Sequence, residues 1–147
     1  MIPRLLRLVP LAILLVALAA CAGCTGTETS AASPAKSYTD LSVEEFRAKI
    51  DETGGAGKTV IIDVRTETEY NRERLRGAIN HDVNAGVFRD RAARLDREAT
   101  YLLYCQSGTR SARAAQIMGE LGFGKVYNMR GGIARWKDAG YPVIRGE

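Results

Sequence analysis

No stretch of about 20 apolar residues, the length that carries a helix across a bilayer, occurs in this chain. Its longest apolar run, Leu8 to Ala20, is about 13 residues long and holds Pro10 near its start. Charge of one sign is not in excess either. There are 21 Lys+Arg against 17 Asp+Glu, a net +4, and two of those positive charges, Arg4 and Arg7, sit beside the apolar run. A nucleic-acid-binding surface needs a stronger, clustered excess, so no nucleic-acid partner is expected. Histidine occurs once, at His81, and cysteine three times, at Cys21, Cys24 and Cys105. Cys105 stands far from the other two and no zinc-ligand spacing results, so neither a metal nor a cofactor is expected. The 147 residues allow one domain. With 46% hydrophobic and 26% charged residues the composition is that of a globular protein. It excludes a polytopic membrane protein, a collagen and a largely disordered chain.

The N-terminus reads as an export signal: Arg4 and Arg7, then the apolar run, which has the length of a signal-peptide core. It ends in Leu18-Ala19-Ala20-Cys21, which resembles a bacterial lipobox. That resemblance implies cleavage before Cys21 and lipid on its thiol and amine. A plain secretory signal with Cys21 incidental is the competing reading. Cys24 fits the lipid site less well, because Cys21 stands three residues before it, where a branched apolar residue is wanted. Residues 1–20 are thus expected to be a signal peptide and residues 21–37 a lipidated tether. The stretch Thr25 to Lys36 is small and polar, without an aromatic residue, and cannot bury apolar area. Residues 38–147 form the folded domain, held outside the cytoplasmic membrane by its lipid anchor.

Along the domain, Ser42-Val43-Glu44-Glu45 matches a capping box and sets Val43, Phe46 and Ile50 on one helical face. The glycine-rich run at 53–57 breaks that helix. Thr59 to Val64 is nearly all apolar and β-branched, as in a strand covered on both faces. Thr66-Glu67-Thr68-Glu69 looks like a second capping box and opens a short helix. Gly77 to Asn80 begins a strand, and Phe88 to Leu95 reads as an arginine-rich helix. Thr100 to Tyr104 is a second buried strand, and the helix after it carries Ala114, Ile117, Met118 and Leu121, with Gly122 as its stop. Lys125 to Met129 is a further strand, and Gly131-Gly132 opens a last helix that carries Trp136 and ends at Gly140. Strands alternating with helices predict a doubly wound α/β domain, with a mainly parallel sheet and helices on both faces.

In such a sheet, sites form outside the carboxyl ends of the strands. Cys105 sits at one, followed by Gln106-Ser107-Gly108-Thr109-Arg110-Ser111 and then a helix. A lone thiol in an exported domain must be buried or used. Backbone N–H groups in a tight loop can converge on an anion, and the helix adds the positive end of its dipole. Gly108 permits the loop's backbone angle and Arg110 supplies a fixed charge. All of these favour the thiolate and would hold an anionic substrate.

The domain resembles the rhodaneses, single-domain sulfurtransferases, over nearly all of residues 38–147. Cys105 to Ser111 resembles their active-site loop, Asp63-Val64-Arg65 their Asp-Val-Arg, and Gly77-Ala78-Ile79-Asn80 their Gly-Ala-Ile-Asn step. Val126 to Ile133, with Trp136 and Gly140-Tyr141-Pro142-Val143, resembles their C-terminal signature. Glu73-Arg74-Leu75 departs from the family, where Gly-His-Ile is common. The resemblance implies a rhodanese fold and sulfur transfer from thiosulfate or a similar donor to a thiol or cyanide through a Cys105 persulfide. Arg110, with Gln106, Ser107, Gly108, Thr109 and Ser111, would bind the donor. Asp63 and Arg65 would brace the site from behind, or form an ion pair with no part in turnover. His81 is expected to be a polar residue at a strand end. A partner protein could be the true persulfide donor or acceptor.

Two other functions fit the same residues less well. Phosphatases that share this fold need a loop one residue longer than the six from Cys105 to Arg110. Non-catalytic binding modules of the family lack the cysteine that is present here. The cluster Arg89, Arg91, Arg94 and Arg97 reads as a solvated helix face rather than a docking patch.

Overall fold

Thr59–Asp63 and Thr100–Tyr104 have almost no polar face to offer water, and the structure places them side by side in the middle of a sheet. The computed structural model describes residues 36–52 and 58–146. The expected export signal, Cys21, Cys24, most of the tether and the glycine-rich break at 53–57 lie outside the described residues. The elements in chain order are β1 (Thr39–Leu41), α1 (Val43–Glu52), β2 (Thr59–Asp63), α2 (Glu67–Arg72), β3 (Glu73–Arg74) and β4 (Ala78–Asn80). There follow α3 (Phe88–Ala92), β5 (Thr100–Tyr104), α4 (Thr109–Glu120), β6 (Val126–Met129), α5 (Gly132–Asp138) and β7 (Ile144–Arg145). Five strands make one sheet in the order β1-β6-β5-β2-β4, every pair parallel. β3 and β7 form a separate antiparallel ribbon.

Side chains alternate across a strand, so neighbours in β2 and β5 enter two different cores. Ile62, Tyr101 and Leu103 join Phe88 and Ala92 of α3 and Ala114, Ala115 and Met118 of α4. Ile61, Leu102 and Tyr104 join Val43 and Phe46 of α1 and Ile133 and Trp136 of α5. The sheet is therefore parallel with helices on both faces, the expected doubly wound architecture. Both capping boxes form. Ser42 N donates to Glu45 Oε2 at 2.7 Å while Glu45 N donates to Ser42 Oγ at 3.2 Å. The Thr66–Glu69 pair opens α2 in the same way.

One helix is shorter than its sequence implies. α3 stops at Ala92 instead of Leu95, because Arg94 N and Leu95 N donate to carbonyls three residues back, at Arg91 and Ala92. That tightens the last turn out of α-helix, while Leu95 still packs against the core. Of the four clustered arginines, Arg89 pairs with Glu120, and Arg97 stacks on Phe123 and donates to the Leu121 carbonyl. These two serve the domain's own helix packing.

β5 is the hub of this arrangement, flanked by β2 and β6 and buried on both faces. Leu103→Ala should cost about 2–5 kcal/mol, the usual range for deleting a fully buried leucine side chain. Urea unfolding should show this as a lower midpoint with an unchanged slope.

Candidate active site

Tyr104 ends β5, and the chain turns at Cys105, whose side chain is fully buried. Gly108 closes the turn at φ +96°, a left-handed angle that L side chains rarely adopt. This angle aims the Gly108 N–H back at the Cys105 Sγ, 3.1 Å away. Ser111, in the first turn of α4, brings its Oγ to 3.5 Å from the same sulfur and also within 3.1 Å of the Gly108 carbonyl. Its single hydroxyl proton serves one of these acceptors at a time. Burial pushes the Cys105 thiol up. The Ser111 hydroxyl and the N–H groups of Ser111, Ser107 and Gly108 more than offset this, and the thiol lies below the ordinary cysteine value. The groups that favour the thiolate are thus mainly backbone amides and one hydroxyl.

The rest of the loop is fixed by the first turn of α5. Ile133 N and Ala134 N donate to the Cys105 and Gln106 carbonyls at 2.9 and 3.2 Å. Gly132 sits at φ +58°, where a Cβ would come within 2.6 Å of the Gln106 carbonyl. Ser107, Gly108 and Thr109 border an open cavity of about 350 Å³ that Asn128 and Arg130 also line. A larger cavity of about 450 Å³ lies beside Ser42, Arg130 and Arg135, and Cys105 lines neither of the two.

Arg110 does not stand free beside the thiol. Its Nη1 and Nη2 donate to Glu69 Oε2 and Oε1, both at 2.7 Å, in a forked pair. Glu69 Oε2 also accepts from Thr66 N at 3.1 Å and Thr66 Oγ1 at 3.0 Å. Arg110 and then Thr66 hold the Glu69 carboxyl down to about 2, against some opposing burial. Arg110 is raised in turn, first by Glu69 and further by the Cys105 sulfur. In the sequence, Glu69 reads only as part of the cap of α2. The parallel pairing of β2 with β5 sets the loops after them side by side, and so brings α2's capping carboxylate to the arginine after Cys105.

Asp63 and Arg65 form a fully buried ion pair, Arg65 Nη2 to Asp63 Oδ2 at 2.7 Å. Arg65 Nη2 also donates to the Glu73 carbonyl at 2.6 Å, and its guanidinium lies over the Tyr104 ring. Asn80 Nδ2 and His81 N donate to the Asp63 carbonyl at 3.0 and 2.9 Å. The pair ties the ends of β2, β3 and β4 to the residue that precedes Cys105. Among the described residues, its side-chain hydrogen bonds do not reach Cys105 itself. His81 follows β4, and burial, then Arg91, pushes its pKa down. Arg74, where the family often has histidine, stacks on Tyr70 and pairs with Ile144 across the small ribbon.

The family model described as a rhodanese-like domain matches residues 42–139. The chain belongs to the rhodanese-like domain family. The thiosulfate sulfurtransferase PspE of Escherichia coli is 35% identical over 85 residues, which is 58% of this chain and 78% of that protein. A sulfurtransferase of Allochromatium vinosum is 28% identical over 88 residues, 60% of this chain and 80% of that protein. The crystal structure of a rhodanese-related protein from Thermoplasma volcanium superposes with a TM-score of 0.62 at 27% identity, covering 73% of this chain and 98% of that one.

Two outcomes follow for this rhodanese-like domain. Gly132→Ala should lower stability by at least about 1–3 kcal/mol for the left-handed angle alone, and should slow alkylation of Cys105 by displacing the loop amides that favour its thiolate. The clash with Gln106 is expected to move the loop, so both should fall, measured by calorimetry and iodoacetamide labelling. Glu69 is depressed in the fold, from an ordinary 4.5 to about 2. Its stabilisation is therefore complete above pH 4.5 and lost as pH falls toward 2. Glu69→Gln should be less stable than the unaltered protein at pH 7, with the difference closing across that acid range in urea titrations.

Proposed function

We propose that this domain is a sulfurtransferase that carries sulfane sulfur on Cys105. The observation that carries the reading is the setting of the sulfur: a thiol at the carboxyl end of a central strand, held by Gly108 N–H and Ser111 Oγ and favoured as thiolate. The kinship with named sulfurtransferases supports the same chemistry. The Cys105 thiolate attacks the outer sulfur of a donor such as thiosulfate. The donor's S–S bond breaks, its electron pair leaves with sulfite, and a cysteine persulfide anion remains. A thiophilic acceptor, cyanide or a thiolate, then attacks the outer persulfide sulfur and returns Cys105 as thiolate. The same N–H groups stabilise the charge before and after transfer. Arg110 faces the incoming donor, with Gln106, Ser107, Thr109 and Ser111 shaping the loop around it, and Asp63 and Arg65 hold the strand ends behind. The acceptor in the cell is a small thiol or a partner protein that takes the persulfide.

The six-residue span from Cys105 to Arg110 favours a single sulfur atom over a phosphate group. The lipobox-like Leu18-Ala19-Ala20-Cys21 supports a place outside the cytoplasmic membrane, with lipid on Cys21.

Cys105→Ser should abolish thiosulfate:cyanide sulfurtransfer and the cyanide-labile sulfur on the purified protein, while Cys24→Ser leaves both intact. Arg110→Ala should lower kcat/KM by about ten- to a hundredfold, the worth of one charge-assisted hydrogen bond. Arg110→Lys should recover part of this, because an ammonium lacks the planar fork. Brisk aryl-phosphate hydrolysis would instead assign the phosphatase class. Cys21→Ser should release the protein from membranes or leave its precursor uncleaved; processed, membrane-bound Cys21→Ser protein would overturn the anchor.

A further inference from the structure

We propose that Glu69 is a specificity-determining residue of the Cys105 site: its carboxylate occupies the face of Arg110 that an anionic donor would use, and so biases the site toward donors of low negative charge. The inference rests on the sulfurtransferase reading and concerns which donors that site accepts.

Three observations carry it. Both terminal nitrogens of Arg110 are taken up by Glu69 in a forked pair at 2.7 Å. Glu69 is not a loose surface counter-ion, because Thr66 N and Thr66 Oγ1 hold the same carboxylate while Glu69 N returns a bond to Thr66 Oγ1 at 3.3 Å. Cys105 itself is fully buried, and the Arg110 and Glu69 side chains are about three-quarters buried, at 26% and 24% exposure. A donor that reaches the sulfur therefore meets a neutral pair, and a fixed negative charge lies next to the cation it would seek. It must share Arg110 with Glu69 or displace it. Displacement leaves α2 capped, since the Thr66 bonds do not involve Arg110. Each negative charge on the donor adds its own repulsion from Glu69, and a partly buried pair is screened only in part. Glu69 acts on the donor through Arg110, as a positioning residue.

The consequence is measurable with two donors of the same S–S chemistry. Thiosulfate is a dianion and leaves sulfite; methanethiosulfonate is a monoanion and leaves methanesulfinate. Both deliver one sulfane sulfur to Cys105. Glu69→Gln removes the charge, and glutamine still serves at the third position of a capping box. Kinetics with cyanide as acceptor should show thiosulfate kcat/KM rising relative to methanethiosulfonate kcat/KM by about tenfold in Glu69→Gln, mainly through KM, with a smaller ratio at high salt. Glu69→Ala should shift the ratio in the same direction despite losing the cap, which separates charge from helix stability. In a Cys105→Ser background, where no sulfur is transferred, calorimetry should find thiosulfate bound more tightly once Glu69→Gln is added. An unchanged or falling donor ratio, or unchanged thiosulfate affinity in the Cys105→Ser background, would overturn the inference and leave sulfur transfer standing. Absence of cyanide-labile sulfur on the unaltered protein with either donor would overturn the sulfurtransferase reading, and this inference with it.

Discussion

The parallel pairing of β2 with β5, in register from Thr59↔Thr100 to Asp63↔Tyr104, is the constraint on which the rest depends. It buries the two most apolar strands against each other and covers them on both faces. It also brings their carboxyl ends level, so that whatever follows Asp63 and Tyr104 in sequence must meet in space. After Asp63 come the buried Arg65, the Thr66 cap and Glu69; after Tyr104 come Cys105, Gly108 and Arg110. A one-residue slip would send Ile61 and Ile62 to each other's faces, and both cores would be lost. The register that the cores require is thus the register that assembles the site.

Within that frame the protein meets two opposing demands. A buried thiol resists ionisation, yet here the thiol lies below the ordinary cysteine value. Backbone amides and Ser111 meet most of this, and the one full positive charge that acts on the sulfur, Arg110, is itself paired with Glu69. A free arginine at the same place would strengthen the thiolate but would also remain an unpaired cation, partly out of water. Glu69 resolves this by pairing with Arg110 while capping α2. The buried Asp63–Arg65 pair is held to a different purpose: it joins four strand ends and packs under Tyr104, and so stiffens the base from which the cysteine loop springs.

Most of the architecture was legible in the residues. The unbroken apolar runs of β2 and β5 admit only a two-sided burial, and both capping boxes start helices where their residue types place them. β1, β3 and β7 were not legible, because such short strands show no period and, unlike β4 with its Gly-Ala-Ile-Asn step, carry no motif; they exist only through their partners Tyr127–Met129 and one another. The end of α3 was misplaced for a related reason. Its apolar positions continue to Leu95, and the tightening of the final turn is a matter of carbonyl partners that the pattern of side chains does not record.

At the site, sequence alone determined the setting of the thiol. A cysteine after a buried strand, with glycine three residues on, arginine five on and a helix to follow, already specifies a thiol among converging N–H groups, because those bonds are local. Only the tertiary structure decided where the arginine's charge goes. Glu69 and Arg110 lie 41 residues apart, and each has an adequate local reading, one as a cap and the other as an anion binder. Their pairing depends on the distance between two strand ends, which is set by sheet order and register and not by any pattern along the chain.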